Sequence, residues 1–236
     1  YRGNHQSRIL EMKLQAHQVP YKLSGGQSFF GRSEIKDIMG YLRLLINPTD
    51  DSAFLRIINT PRREIGPSTI EKLSEYSIRR GISMMAATTE LGLEQLLTPK
   101  ALDKLKRFGH WLNNITRMAY ADDAVAAVKE MIEDLDYEAH LNLTSGTPHQ
   151  AERRMSNVWY LVDSISKMIE KADEVGDEVT IEDAVSKLIL RDMLERQADE
   201  DEEDQVQLMT LHASKGLEFP HVYMVGLEEE LMPHRN

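Results

Sequence analysis

The sequence predicts a mainly α-helical fold in which a long helical block is inserted between two short pieces of an α/β sheet. Hydrophobic residues make up 41% of the 236 residues but aromatic residues only 6%, a composition that favours helices. Helical periodicity fills the middle of the chain, whereas strand-like runs occur only near its two ends. Because strands need partners, we expect the first and last segments to meet in space.

The first predicted elements are a helix and a short strand. Residues 4–18 combine good helix formers with regularly spaced apolar residues, and the helix must end before Pro20, because the residue before a proline avoids helical geometry. Residues 21–23 are the strand candidate. Beyond them, Gly25 and Gly26 mark the predicted crossing into the helical block, since glycine can absorb a large backbone rotation.

The helical block opens with the clearest helix of the chain. Ser33 is a good N-cap residue, and apolar residues then recur at helical spacing from Ile35 to Leu45, up to the stop signal at Asn47 and Pro48. Residues that favour turns and end helices, namely glycine, proline, asparagine and aspartate, separate the later predicted helices. These helices are residues 51–59, 67–80, 99–118, 124–135, 150–171 and 180–195.

The chain then returns to strands. Residues 206–211 and 221–227 are apolar, partly β-branched runs bounded by turn signals, and each is predicted as a strand. Six consecutive carboxylates at residues 199–204 repel one another, so we expect them to form a mobile linker and hinge. The predicted domains are therefore residues 1–24 and 200–236 of one α/β unit, with residues 25–199 as the insertion.

Composition excludes several classes of protein. The chain has no cysteine, which excludes a disulfide scaffold and thiolate chemistry and fits a cytoplasmic protein. It has no apolar run long enough for a membrane span. Because it starts at Tyr1 and stops just after a strand-like run, we expect it to be a fragment of a longer protein.

The net charge of −11 hides an asymmetry between the two halves. Residues 1–118 hold 18 Lys and Arg against 11 Asp and Glu, giving +7, whereas residues 119–236 hold 10 against 28, giving −18. The basic half could bind phosphate, or it could form an ordinary solvated helix surface. Charge alone does not decide between these two interpretations.

The most informative motif is VQLMTLHASKGLEF at residues 206–219, in which a buried strand runs directly into a polar turn. In an open α/β sheet, ligands bind at the carboxyl ends of the strands. Polar groups placed there could act on a nucleotide or a nucleic acid. A strand followed by a simple capped turn is the alternative.

The TLHASKGLEF segment resembles motif V of superfamily 1A DNA helicases of the UvrD, Rep and PcrA kind. Three further blocks resemble the same family: YRGNHQSR at the start, VPYKLSGGQSFFGRSEIKD after it, and the segment from Asp50 to Gly66 with PRREIG. The resemblance covers essentially the whole chain and favours the Rep branch. It implies that the helical block is the inserted 2B subdomain, flanked by two pieces of the RecA-like motor subdomain 2A, a P-loop NTPase fold.

By this resemblance, the parent protein is an ATP-dependent helicase that translocates 3′ to 5′ on single-stranded DNA and unwinds duplex DNA in replication or repair. Motif V then implies that Lys215, Gly216 and Glu218 face the nucleotide. Residues that the resemblance assigns to single-stranded DNA are Arg2, Asn4, Thr210 and His212. An exposed Lys215–Glu218 ion pair is the alternative for the first group.

The resemblance also implies contacts to duplex DNA from the helical block. Residues 61–70 resemble the family's duplex-holding hairpin, although Glu64 stands where the family has the first glycine of Gly-Ile-Gly. This carboxylate should weaken the contact. Lys36 and Arg43, seven residues apart on one helix face, would join Gly66 and Thr69 as the duplex site. A simple turn with a helix cap is the alternative.

The sequence lacks the motifs that bind ATP phosphates. No G-x-x-x-x-G-K-[ST] segment occurs, so ATP and Mg²⁺ are expected in the parent protein but not on this chain, and no metal site is predicted. The expected partners are DNA and the missing N-terminal motor subdomains, with no membrane. A non-catalytic helical module for regulation or protein interaction is the alternative function.

Overall fold

The computed structural model describes residues 1–2, 6–24, 28–121, 123–175, 179–200 and 205–227. The chain divides into two compact units. A small unit comprises Tyr1–Arg32 and Leu190–Asn236, and a helical unit comprises Ser33–Ile189. Helix predominates, as expected for a mainly α protein. The domain boundaries given above from the sequence stay predictions.

The small unit is organised by two strands from opposite ends of the chain. Strand β1 (Tyr21–Ser24) pairs in parallel with β2 (Val206–Met209), with Tyr21 opposite Val206. Helix α1 (Ser7–Ala16) precedes β1. The core of this unit is formed by Tyr1, Tyr21 and Leu208. The prediction that the first and last segments meet is therefore confirmed.

The strand predicted at residues 221–227 is wrong. Val222 and Tyr223 are 74% and 87% exposed, and only Val225 packs against the core of the small unit. Gly226 has a φ of +73°, which a regular strand cannot accommodate. No described residue supplies this run with a strand partner, so its β-branched composition is not enough to make it a strand.

The helical unit begins with a long buried helix and ends within another helix that crosses the unit boundary. Several predicted bounds are confirmed to the residue, and others shift by a few residues. The helices are α2 (Ser33–Ile46), α3 (Asp51–Ile57), α4 (Pro67–Arg80), α5 (Met84–Ala87), a 3₁₀ helix (Leu91–Gln95), α6 (Pro99–Ala121), α7 (Ala124–Asp134), α8 (Tyr137–Thr144), α9 (Pro148–Val175) and α10 (Ile181–Glu200).

Two helix ends differ from the prediction for local reasons. Helix α1 ends at Ala16 rather than at Gln18, because Gln18 has a φ of +56° and lies in the left-handed region. Helix α10 continues through Asp199 and Glu200, so these two carboxylates are not part of a loop as predicted. The rest of the acidic run, residues 201–204, lies outside the described residues, as do Gly25 and Gly26. The predicted hinge and crossing therefore stay predictions.

Helix α2 forms the centre of the helical unit and packs against α3, α6 and α9. Its side chains Ile35, Ile38 and Leu42 are completely buried. Gly40 lets α3 approach closely, because a Cβ at that position would lie 2.7 Å from the Cγ2 atom of Ile57. None of the described helices combines the length and the apolar content needed to cross a bilayer.

Two buried carboxylates on α2 connect it to distant helices. Asp37 accepts hydrogen bonds from Arg56 Nη2 on α3 at 2.6 Å and from the Tyr137 hydroxyl on α8 at 3.0 Å. Burial raises the pKa of Tyr137, and the Asp37 carboxylate adds to the increase, so the hydroxyl keeps its proton. Glu34 accepts from Arg154 Nε on α9 at 3.1 Å. These bonds fix α3, α8 and α9 around α2.

Replacing Asp37 by alanine should destabilise the helical unit by about 2 kcal/mol, because Arg56 and the buried Tyr137 hydroxyl lose their acceptor. Urea unfolding followed by circular dichroism measures the change. The matched control is Asp163→Ala, which removes a carboxylate from an exposed pair with Lys167 on α9 and should leave the midpoint nearly unchanged. Equal midpoints for the two variants would contradict the role given to Asp37.

Candidate nucleic-acid and nucleotide interface

The turn after β2 is closed by its own hydrogen bonds. Thr210 Oγ1 accepts from the Ala213 amide at 3.1 Å, and the Thr210 carbonyl accepts from the Ser214 amide at 3.0 Å. The Ser214 hydroxyl donates to the Leu211 carbonyl at 3.0 Å. The local bonds of Thr210 and Ser214 shape the turn and leave the His212 side chain exposed.

The start of the chain lies beside this turn. The Tyr1 nitrogen donates to the Met209 carbonyl at 3.1 Å, and the Leu211 amide donates to the Tyr1 carbonyl at 2.9 Å. These two bonds extend the parallel pairing to the other side of β2. Tyr1 is therefore opposite Thr210 at the end of β2, and the side chain of the following residue, Arg2, is exposed. Asn4, the fourth residue predicted to contact single-stranded DNA, lies outside the described residues.

The three residues predicted to face a nucleotide follow in the same turn. Gly216 has a φ of +85°, which explains the glycine, and a Cβ there would meet no atom within 4 Å. Lys215 and Glu218 are exposed. Neither side chain forms a salt bridge within the part of the chain that the structure describes, so the alternative of a Lys215–Glu218 ion pair is not observed.

A second polar region lies in the helical unit, in the segment between α3 and α4 that we call the 59–66 turn. The Asn59 side chain closes this turn with two hydrogen bonds to the backbone of Ile65. Its Nδ2 atom donates to the Ile65 carbonyl at 2.6 Å, and its Oδ1 atom accepts from the Ile65 amide at 3.1 Å. The Thr60–Pro61 peptide bond is cis. The 59–66 turn ends at Gly66, the N-cap residue of α4.

Arg63 fills the inside of the 59–66 turn. Its Nη1 atom donates to the carbonyls of Ile57, Ile58 and Pro61 at 2.9, 3.1 and 3.3 Å. Its Nη2 atom donates to the Tyr41 hydroxyl at 2.6 Å. Burial raises the pKa of Tyr41 to about 12, partly offset by the neighbouring Arg63 charge, so Tyr41 is a neutral phenol at physiological pH.

Aromatic rings complete the environment of Arg63. Its guanidinium lies 4.9 Å from the centroid of Phe108 and 5.9 Å from that of Trp111, both on α6. Such contacts between a cation and ring faces add to the hydrogen bonds. Arg63 thus connects α2, the end of α3, the 59–66 turn and α6. It is a structural residue rather than a free cation.

Glu64 takes the backbone conformation that glycine favours. Its φ is +55°, and its carboxylate receives a hydrogen bond from Lys104 Nζ on α6 at 2.9 Å. This hydrogen bond, together with the Lys104 and Arg62 charges, lowers the pKa of Glu64. Glu64 and Lys104 therefore offset each other at the edge of the turn.

The residues predicted to contact duplex DNA lie at the start of α4 and on α2. Gly66 has an extended conformation with a φ of −68°, so the left-handed position of this turn is Glu64, not Gly66. No described residue accepts a hydrogen bond from the Gly66 amide. The Thr69 amide donates to the Gly66 carbonyl at 3.0 Å as part of the helix start. Nothing lies within 4 Å of a Cβ built at Gly66.

Lys36 and Arg43 lie on one face of α2 but differ in their surroundings. Arg43 Nε donates to Asp50 Oδ2 at 2.9 Å, and Asp50 Oδ1 caps α3 by accepting from the Ala53 amide. Lys36 is half-buried and has no salt-bridge partner in the described part of the chain. Of these two predicted duplex contacts, Lys36 therefore has no salt bridge to a described residue, whereas Arg43 already supports α3 through Asp50.

Sequence reasoning missed three residues that determine this region: Asn59, Arg63 and Lys104. Asn59 and Arg63 lie inside the segments that carry the family resemblance, but nothing local distinguishes Arg63 from its exposed neighbour Arg62. Lys104 is 40 residues from Glu64 in the sequence. Only the tertiary packing of α6 beside the turn reveals its role.

A family model and the curated relatives both relate this chain to DNA helicases. The family model described as UvrD-like helicase C-terminal domain matches residues 1–236. The chain is 53% identical over 236 residues to the ATP-dependent DNA helicase Rep of Salmonella typhimurium and 52% identical to that of Escherichia coli, covering 100% of this chain and 35% of each helicase. It is 34% identical to the ATP-dependent DNA helicase PcrA of Bacillus subtilis, covering 99% of this chain and 31% of that protein. The chain thus spans about a third of the length of these curated relatives.

Replacing Arg63 by lysine should loosen the 59–66 turn, because an ammonium group cannot reproduce the planar fork that reaches three carbonyls and the Tyr41 hydroxyl. We expect the Ile65 amide to exchange its hydrogen roughly tenfold faster, measured by hydrogen–deuterium exchange. Arg62→Lys, at the exposed neighbouring position, is the control and should leave this exchange rate unchanged. Protection of Ile65 that survives in the Arg63 variant would contradict the role of Arg63.

Proposed function

Because the chain belongs to the family of UvrD-like helicase C-terminal domains, we propose that it is a portion of an ATP-dependent DNA helicase of the Rep type. The whole protein would hydrolyse ATP, translocate 3′ to 5′ on single-stranded DNA and unwind duplex DNA during replication or repair. Its proposed location is the cytoplasm. In this proposal the small unit is part of the RecA-like motor subdomain 2A, and the helical unit is the inserted 2B subdomain.

The observation that carries this proposal is the parallel pairing at the end of β2. The bonds of Tyr1 to Met209 and Leu211 bring the start of the chain to the end of β2. Arg2 and Thr210, more than 200 positions apart and both expected to contact single-stranded DNA, therefore lie at the same end of the sheet. Arginine guanidinium and threonine hydroxyl groups are common donors to phosphate oxygens. Together with the exposed His212 they would hold the backbone of a single strand at the carboxyl end of the sheet.

The turn after Thr210 supplies the proposed nucleotide contact. Its residues fit ATP: the left-handed Gly216 lets the backbone approach a phosphate, Lys215 is an exposed cation with no salt bridge to a described residue, and the exposed Glu218 carboxylate can accept a hydrogen bond from a ribose hydroxyl. ATP would supply the phosphoryl group whose transfer drives movement. No group of three metal ligands occurs among the described residues.

In the helical unit, the proposed ligand is the phosphate backbone of duplex DNA. Three observations support this proposal. The Gly66 amide has no acceptor among the described residues, Thr69 lies in the first turn of α4 and bonds to the Gly66 carbonyl, and Lys36 has no salt bridge to a described residue. Arg43 would contribute less than Lys36, because Asp50 already offsets part of its charge. Such contacts bind sequence-independently and weaken with salt.

A chimeric helicase tests the proposed function. Residues 1–236 replace the corresponding segment of Escherichia coli Rep, and we expect DNA-dependent ATP hydrolysis and unwinding of a duplex with a 3′ single-stranded tail but not a 5′ tail. The 236-residue chain alone should not hydrolyse ATP, because positioning by a phosphate-binding loop is missing. A folded chimera that binds DNA but neither hydrolyses ATP nor unwinds would favour the alternative of a non-catalytic helical module.

Replacing Glu64 by glycine should strengthen duplex binding several-fold. The change removes a carboxylate from the turn, releases Lys104, and places glycine where the φ is positive. Fluorescence anisotropy with a labelled duplex measures the affinity at several salt concentrations. The control is Glu94→Gln, which likewise removes one carboxylate and releases a lysine, Lys106, elsewhere in the unit. Equal gains in both variants would show a general charge effect and contradict a contact at the 59–66 turn.

A further inference from the structure

We propose that the cleft between the 59–66 turn and α6 binds an unpaired nucleotide of a DNA strand, with the phosphates on Arg62 and Arg107 and the base against Trp111. The proposal rests on the proposed function, since it assumes that the helical unit meets DNA. It adds a separate site for unpaired bases to the duplex contact proposed for Gly66 and Lys36.

The cleft has the size and the lining of a small-ligand site. Its volume is about 710 Å³, within the range typical of pockets for small molecules. Its lining includes Arg62 from the 59–66 turn, Lys104, Arg107, Phe108 and Trp111 from α6, and Asp134 from α7. Cations around an aromatic surface are the combination by which proteins bind single-stranded nucleic acids.

The charges of the cleft leave two cations for phosphate. Glu64 and Lys104 offset each other at 2.9 Å, and Arg63 is held by the carbonyls of the 59–66 turn. Arg62 is exposed and has no salt-bridge partner among the described residues. Arg107 pairs with Asp103 one turn earlier on α6, but the Arg107 and Asp103 side chains are 71% and 60% exposed. Such a pair is weak, so a phosphate can replace the carboxylate.

Trp111 is a preformed surface for a base. Its Nε1 atom donates to Asp134 Oδ2 at 2.7 Å, which fixes the ring and uses the Asp134 carboxylate. The ring packs edge-on against Tyr41 and beside Phe108, each with a centroid distance of 6.0 Å. A half-buried ring held on these sides loses little conformational entropy when a base stacks on it.

The shape of the cleft favours an unpaired nucleotide over a duplex. The bases of a duplex are stacked inside the helix, so a duplex could offer only phosphates to the rim residues Arg62 and Arg107. An unpaired base can leave its stack and reach Trp111. Fluorescence of Trp111 therefore distinguishes a strand in the cleft from a duplex lying across it.

The experiment uses Trp111 as a local reporter in the 236-residue chain. Because the chain has two tryptophans, Trp159→Phe leaves Trp111 as the only one. We expect quenching of its fluorescence on titration with an oligothymidylate of about eight nucleotides, and no comparable change with a blunt duplex. In the same background, Arg62→Ala with Arg107→Ala should weaken the fluorescence-detected binding roughly tenfold.

The matched control is Arg117→Ala with Arg153→Ala, which removes two exposed arginines of the same unit that do not line the cleft. Its fluorescence titration should equal that of the chain carrying Trp159→Phe alone. Thermal unfolding checks that all variants are folded. Quenching by duplex alone, or equal weakening in both double variants, would overturn the proposal. If anisotropy shows DNA binding without any Trp111 response, the cleft proposal fails while the proposed function stands. If no DNA binds in either measurement, both fail.

Discussion

The parallel pairing of β1 with β2 is the constraint on which the arrangement of the small unit depends. Its register, with Tyr21 opposite Val206, joins backbone segments that lie 185 residues apart in the sequence. The helical unit, Ser33–Ile189, lies in the sequence between the two chain segments that form the small unit. Separate hydrogen bonds from Tyr1 to Met209 and Leu211 bring the start of the chain to the end of β2, where Thr210 follows. This end of the sheet therefore needs both the start of the chain and the segment that follows β2.

Within the helical unit, a comparable role falls to polar groups buried at helix junctions. Asp37 on α2 and Arg63 in the 59–66 turn each satisfy several partners at once, and each bond removes a backbone or side-chain group from water. If Asp37 or Arg63 lost its partners, the groups left without hydrogen bonds would be costly to bury. These hydrogen bonds therefore fix the packing of the helices around α2 and the 59–66 turn. The residues of this unit that the proposals assign to DNA, such as the half-buried Lys36 and the exposed Arg62, are attached to this framework.

Much of the fold follows from local sequence signals, and the exceptions have identifiable causes. Ser33 and the apolar spacing after it predict the bounds of α2, and the proline at position 67 predicts the start of α4. The structure confirms both predictions. Residues 221–227 have strand composition, but composition supplies no hydrogen-bonding partner. Short helices such as α5 and α8 are too brief for periodicity to reveal. For the site, the motif after β2 was readable from the sequence, whereas the bonds of Arg63 and Lys104 depend on tertiary packing.

Crosslinking across the two strands tests the central claim most directly, because the natural chain contains no cysteine. Lys22→Cys with Gln207→Cys joins residues that are opposite each other in the register, whereas Lys22→Cys with Val206→Cys places the two thiols on opposite faces of the sheet. Under mild oxidation, the first pair should form an intramolecular disulfide in high yield and the second should not. No disulfide in the first pair, or equal yields in both pairs, would contradict the parallel pairing of β1 with β2 and its register.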